Sequence, residues 1–186
     1  GRLGVVYRQA AHAQAFFEAC AKPVSAFAAA ANGDFAAVCE TGPLAAVKVF
    51  DAVTAAPVAS LPPRLRTAAT RCAFSADGTL LAAVGVGLGG LKTICVWASP
   101  TGTWRDAFHL CSAPAPLKVC AFLAFGGPRD VVAGGVGEAV GTPDLCFYGV
   151  RGRNLVAARA AGASLAGYAC GAGDGRDSLA GAPGGA

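Results

Sequence analysis

The 186-residue sequence has no methionine, only two histidines and only 14% charged residues. These shortages exclude a good deal. His12 and His109 stand far apart, and neither has an acid or a nucleophile beside it, so each reads as a surface or loop histidine rather than a general base. Eleven acidic residues, most of them in turn-like stretches, assign no carboxylate pair for acid–base work. No C-x-x-C pair occurs among the eight cysteines, so ligand spacing for zinc is missing. No run of about 18 uncharged apolar residues reads as a membrane span; the alanine-rich stretch 24–31 is too short and is followed by Asp34 and Glu40. Without an initiating methionine the chain reads as an excerpt or a processed product, so a missing signal peptide says nothing about secretion.

What is present is apolar material, 54% of residues, enough for a core. The net charge of +4 is a mild bias that allows acidic partners without demanding them. Arg64, Arg66 and Arg71 gather loosely around one loop. With no aromatic residues interleaved, they read as a solvated loop rather than a nucleic-acid patch.

The most ordered stretch is 71–97, RCAFSADGTLLAAVGVGLGGLKTICVW. Arg71 to Phe74 is a short strand, and Ser75-Ala76-Asp77-Gly78 is a turn. Thr79 to Val84 and Thr93 to Trp97 are two further strands. Asp-Gly between short apolar runs is a hairpin signal, because glycine adopts positive φ at no steric cost. The pattern recurs. Phe27, Phe74 and Phe122 lie 47 and 48 residues apart, and Phe50, Trp97 and Tyr148 lie 47 and 51 apart. A period of roughly 40 to 50 residues with several strands per unit predicts β-propeller blades. The expected fold is all-β, with about three four-stranded antiparallel WD-repeat-type blades forming an incomplete propeller.

Five segments follow. Residues 1–20 form the end of a preceding segment or blade. Its stretch Leu3 to Tyr7 is a strand, and Ala15 to Ala19 is better read as a strand than as a helix. Residues 21–61, 62–110 and 111–160 are blades. Their outer strands are expected at Val58–Leu61, Trp104–Leu110 and Asn154–Ala158. Pro62-Pro63 is expected to end the first of these, since proline cannot donate to a ladder. Pro114 and Pro116 sit in the loop leading into the third blade. Residues 161–186 are a glycine- and alanine-rich linker or tail with too little apolar area to offset ordering. Cys72 and Cys120 precede an aligned Phe by two, and Cys95 and Cys146 precede an aligned aromatic by two. Such cysteines read as small buried hydrophobes, and reduced thiols as a sign of the cytosol.

One motif suggests a cofactor. Gly85-Val86-Gly87-Leu88-Gly89-Gly90 fits G-x-G-x-x-G after a strand, with Asp106 some distance on. A dinucleotide site needs a helix to open at the third glycine. The residues that follow, Thr93 to Trp97, are a strand-forming run. The glycines therefore read as a loop between strands, with a nucleotide-binding enzyme as the remote alternative. No catalytic, cofactor or metal residue is assigned, and no partner-binding loop is singled out.

The wording of the repeats also carries a resemblance. GRLGVVYRQAAHAQAFF at the start, CAFSADGTLLAAVGVG with TICVW, and DLCFYGVRGRNLVAARA resemble the echinoderm microtubule-associated protein-like family. The first stretch is similar to the junction between its HELP motif and its first WD repeats, and the likeness covers roughly residues 1–160. The chain departs from it in lacking the Gly-His pair of a WD repeat, and in having Phe50-Asp51, Trp97-Ala98 and Tyr148-Gly149 where Trp-Asp is usual. The resemblance implies a non-enzymatic scaffold of the cytoplasm and cytoskeleton, or of a ciliary or flagellar axoneme. Its partners would be tubulin, microtubules or axonemal proteins, together with the rest of its own propeller, with no nucleic acid and no membrane. A generic WD-repeat adaptor in another complex is the alternative.

Overall fold

The computed structural model describes residues 4–8, 13–17, 20–137 and 143–159. Among them there are thirteen strands and no helix. Gly4–Arg8 (β1) and Ala13–Phe17 (β2) pair as an antiparallel hairpin. Seven strands follow in one continuous sheet. They are Val24–Ala29 (β3), Phe35–Glu40 (β4), Ala45–Asp51 (β5), Pro57–Phe74 (β6), Leu80–Gly87 (β7), Lys92–Ala98 (β8) and Phe108–Pro114 (β9). Leu117–Gly127 (β10), Asp130–Gly137 (β11), Pro143–Arg151 (β12) and Asn154–Arg159 (β13) make a four-stranded sheet. Every pairing is antiparallel between neighbours in sequence.

Strand β6 explains why two blades share one sheet. Its first part pairs with β5, Val49 with Ala59 and Val47 with Leu61. Its last part pairs with β7, Cys72 with Ala83 and Phe74 with Leu81. It is therefore the outer strand of the first blade and the inner strand of the second. The expected stop at Pro62-Pro63 does not occur. The β5 register jumps from Leu61 to Leu65, so the two prolines sit in an irregularity where no ladder amide is needed.

Side-chain alternation then stacks the blades. On β7 and β8, Leu80, Ala82, Val84, Ile94, Val96 and Ala98 face the third blade and pack with Leu117, Cys120, Leu123, Val131, Cys146 and Tyr148. The intervening Leu81, Ala83, Cys95 and Trp97 face the first blade and pack with Ala37, Cys39, Val47 and Val49. Period-two alternation with both faces buried is what a central blade requires. The other face of the first blade carries Ala36, Val38 and Phe50.

The turns give the true register. Ala30 donates to Phe35 as Ser75 donates to Leu80, so Ala29, not Phe27, corresponds to Phe74. In the third blade Phe125, not Phe122, takes that place, since Val131 opposite it pairs with Tyr148 as Leu81 pairs with Trp97. Phe27 is 43% exposed whereas Phe74 is buried. The third-strand aromatics do correspond. Ala52, Ser99 and Val150, each two residues after its aromatic, donate to Asp34, Thr79 and Arg129 of the preceding turn. Trp97 donates its indole N–H to the Pro62 carbonyl (3.2 Å), and Tyr148 its hydroxyl to the Pro114 carbonyl (3.0 Å). Each of these two aromatics thus ties the third strand of its blade to the chain crossing in from the previous one. The phenyl ring of Phe50 carries no N–H or O–H with which to make such a tie.

Two more expectations are corrected. Trp104 is not part of the outer strand, which begins at Phe108. It lies in a turn at φ 64°, fully buried, edge-on to Phe74 at 5.4 Å, with its indole N–H on the Gly78 carbonyl (3.0 Å). His109 is no surface residue: it is half-buried in β9 against Trp97, 6.1 Å between ring centroids. Burial and nearby Arg64 lower its pKa. His12, the end of the second expected strand at Glu18 and Ala19, and residues 161–186 lie outside the described residues.

Seven cysteines are described, and all are free thiols. Cys95 and Cys111 are buried, and desolvation pushes their pKa to about 12 and about 11. At pH 8, iodoacetamide should leave both unmodified in the folded chain and label them in denaturant, as read by peptide mass spectrometry. Trp97→Phe and Tyr148→Phe should each lower unfolding free energy by about 1 kcal/mol. Equilibrium denaturation would measure this.

Candidate interaction surfaces

Alternating strand direction sends the turns to two rims. One rim carries the connections from inner to second strand and from third to outer strand: 30–34, 75–79 and 128–129, then 52–56, 99–107 and 152–153. The opposite rim carries the connections from second to third strand, including 41–44 and 88–91, and the crossings between blades at 62–65 and 115–116.

The first rim is held by short polar side chains. Ser75, buried, donates to Asp77 Oδ1 (2.6 Å) and accepts the Leu80 amide (2.9 Å). Asp77 also accepts the amide and the hydroxyl of Thr79. Gly78 completes the turn at φ 71°, where a side chain would be strained. In the 99–107 turn Ser99 donates to Asp106 (2.8 Å) and accepts the Trp104 amide (2.8 Å), which is what folds Trp104 inward. Asp51 accepts the amides of Val53 and Thr54. Between the turns of the first and second blades lies an open cleft of about 660 Å³, lined by Asp34, Phe35, Asp51, Val53, Val58, Gly102, Thr103 and Arg105. It pairs an apolar floor with charges of both signs.

The glycine-rich motif lies at the other rim. Gly85 and Gly87 are inside β7, and β8 begins at Lys92, so no helix opens at the third glycine. Asp106 is bound into the 99–107 turn at the far rim. Gly85 has a packing role instead. A Cβ there would stand 2.4 Å from the Ala68 carbonyl oxygen, and one at Gly135, its counterpart in the third blade, 2.0 Å from that of Val119. In both blades the inner strand presses its backbone onto the second, which only glycine allows. Among the described residues no group of three or more His, Cys, Asp or Glu could hold a metal.

The charged side chains divide between the rims. Asp34, Asp51, Asp77, Asp106 and Asp130 are all on the first, among Arg105, Arg129, Arg151 and Arg153. The second has Lys22, Arg64, Arg66, Lys92 and Lys118. Of the acids at that end, Glu40 is buried, held by Lys48 (3.0 Å) and by the Ala21 amide (2.8 Å), and Asp144 stands near the start of β12, opposite Gly135. Arg71 lies further along the inner strand, with its guanidinium on the carbonyls of Ala121 and Thr70, so it is not part of a loop with Arg64 and Arg66. This division had no signal in the linear sequence, where acids and bases are interspersed.

No family model and no curated protein matches the chain. Solved structures do. The Kuenenia stuttgartiensis hydrazine synthase matches at 15% identity and a TM-score of 0.61, over 84% of this chain and 42% of that one. Kluyveromyces lactis Hsv2 matches at 16% and 0.59, over 82% and 51%. The β-propeller domain of Myceliophteria thermophila Cps50 (Swd1) matches at 13% and 0.57, over 75% and 39%. The shared feature is the fold, and the chain spans about half or less of each of these structures.

Burial opposes ionisation of Asp77, but its hydrogen bonds from Ser75 and Thr79 outweigh this and hold its pKa below the usual carboxylate value. Asp106, bonded by Ser99 and Thr101, is lowered the same way. A lowered folded-state pKa gives stability that is present above the unfolded value of about 3.9 and lost as pH falls through the folded one. Melting temperature should therefore drop below about pH 4. Asp77→Asn should flatten part of that drop, as followed by circular dichroism across an acid series.

Proposed function

We propose that the chain is a non-enzymatic protein-interaction platform, a set of WD-repeat-type propeller blades that holds turns rigidly for a partner to read. The observation that carries this reading is the contrast between interior and rims. The strands are stacked with both faces buried, while the turns present an open cleft, exposed charges and exposed leucines. Such a body fixes loop positions and leaves their side chains free to be read. Three four-stranded blades are fewer than a closed ring uses. Further blades, or a partner, would cover the open ends and their unpaired strand edges.

The finer reading is that the partner is tubulin, a microtubule or an axonemal protein, with a cytoskeletal or ciliary location. It rests on the likeness of the opening stretch GRLGVVYRQAAHAQAFF to the microtubule-associated family. Co-sedimentation of the complete protein with microtubules tests it. Retention in the pellet at low salt, and loss of it when residues 1–160 are removed, is expected. If the protein stays in the supernatant, the platform reading stands with another partner.

A further inference from the structure

We infer that the rim carrying the 41–44 and 88–91 turns is a docking face for an acidic peptide segment with leucine-like side chains, an inference that rests on the platform reading above. The cations form a continuous row across the blades. Lys22 lies over Gly42, where a Cβ would stand 3.3 Å from it. Leu44 donates its amide to the Arg66 carbonyl (2.9 Å). Leu65, between Arg64 and Arg66, pairs with Ala45 on one side and Gly87 on the other. Gly87 in turn donates to the Leu91 carbonyl (2.8 Å), and Lys92 Nζ donates to the Lys118 carbonyl (2.7 Å). Among the described residues Lys22, Arg64, Arg66 and Lys118 have no carboxylate within ion-pairing distance, and all four are exposed.

Apolar side chains stand between these cations. Leu44, Leu88 and Leu91 are 57%, 54% and 64% exposed. Leu44 is held at φ 51°, a left-handed conformation that costs a branched side chain energy. Between Leu88 and Leu91 lie Gly89 and Gly90, with nothing within 4 Å of where a Cβ would be. Alternating cations, leucines and bare backbone fit a peptide, whose carboxylates, apolar side chains and amides each meet a counterpart. A single-stranded nucleic acid would want aromatic stacking platforms, and the exposed large residues of these turns are leucines. A headgroup layer would use the cations and leucines but not the glycine backbone.

The test pans random-sequence peptides on the full chain and measures the enriched ones by fluorescence anisotropy. The expected winners combine Asp or Glu with Leu-type residues. Their affinity should fall about tenfold or more in the Arg66→Glu/Lys118→Glu variant. Affinity should be unchanged in Arg151→Glu/Arg153→Glu on the opposite rim. Thermal melts would show both variants folded. If the enriched peptides are acidic but bind the Arg66/Lys118 variant as well as the original chain, the face assignment is overturned. If they lack acidic residues and respond instead to Arg105→Glu at the cleft, this inference fails and the platform reading survives. If phosphatidylserine vesicles or poly(U) bind through Arg66 and Lys118 while no peptide is enriched, the face takes another polyanion and the peptide is excluded. If nothing binds, this inference fails, and the platform reading rests on the co-sedimentation alone.

Discussion

Each blade is a sheet with two apolar faces, and the need to bury both shapes the rest of the molecule. A single antiparallel sheet covers one face with a core and leaves the other to water. Here Leu80, Ala82 and Val84 look one way and Leu81 and Ala83 the other, all of them buried. The only way to satisfy both is to stack sheet on sheet in a row. Stacking favours small residues, which accounts for the alanines and the buried thiols, while the glycines at 85 and 135 answer the press of the inner strand on the second within one blade. The aromatics Trp97 and Tyr148 then connect adjacent blades through a proline carbonyl at the crossing.

With the strands committed to packing, chemistry is left to the turns. Those of one rim are built from Ser, Thr and Asp bonded to their own backbone, so their carboxylates are occupied structurally. The opposite rim has fewer such bonds among the described residues, with Thr93 donating to the Leu91 carbonyl and Glu40 accepting the Ala21 amide. Its turns 41–44 and 88–91 are rich in glycine and leucine with cations beside them, and Glu40 there is buried on Lys48. The segregation follows from antiparallel geometry: strands of alternating direction send alternate connections to opposite ends. Charges that are interspersed along the chain are thereby sorted between two rims, most of the aspartates at one and a row of lysines and arginines at the other.

Much of the fold was legible in the residues. The third-strand aromatics Phe50, Trp97 and Tyr148 are true counterparts, because each ends a strand whose length is set by its hairpin. Phe27 is misleading because the β7–β8 hairpin is two residues longer than β4–β5, so the 47-residue spacing of Phe50 and Trp97 overstates by two the spacing of the inner strands. Pro62-Pro63 is misleading for a separate reason. A proline breaks a ladder only where an amide is due, and the crossing between blades needs none. Local context places Trp104 in an outer strand and His109 at the surface or in a loop. Their burial comes from Phe74 and Trp97, thirty and twelve residues away. The candidate site was scarcely legible, since its five cations come from four stretches of the chain, the approach to β3 and strands β6, β8 and β10.

By itself the sequence determined the strand content, the repeat and the hairpin turns, because period-two alternation, Asp-Gly and glycine conformational freedom are local effects. The tertiary structure alone decided which sheet each residue faces, which glycines are pressed by backbone, and which charges share a rim. Those outcomes depend on how strands pair and blades stack, which joins residues far apart in the chain that no local signal pairs.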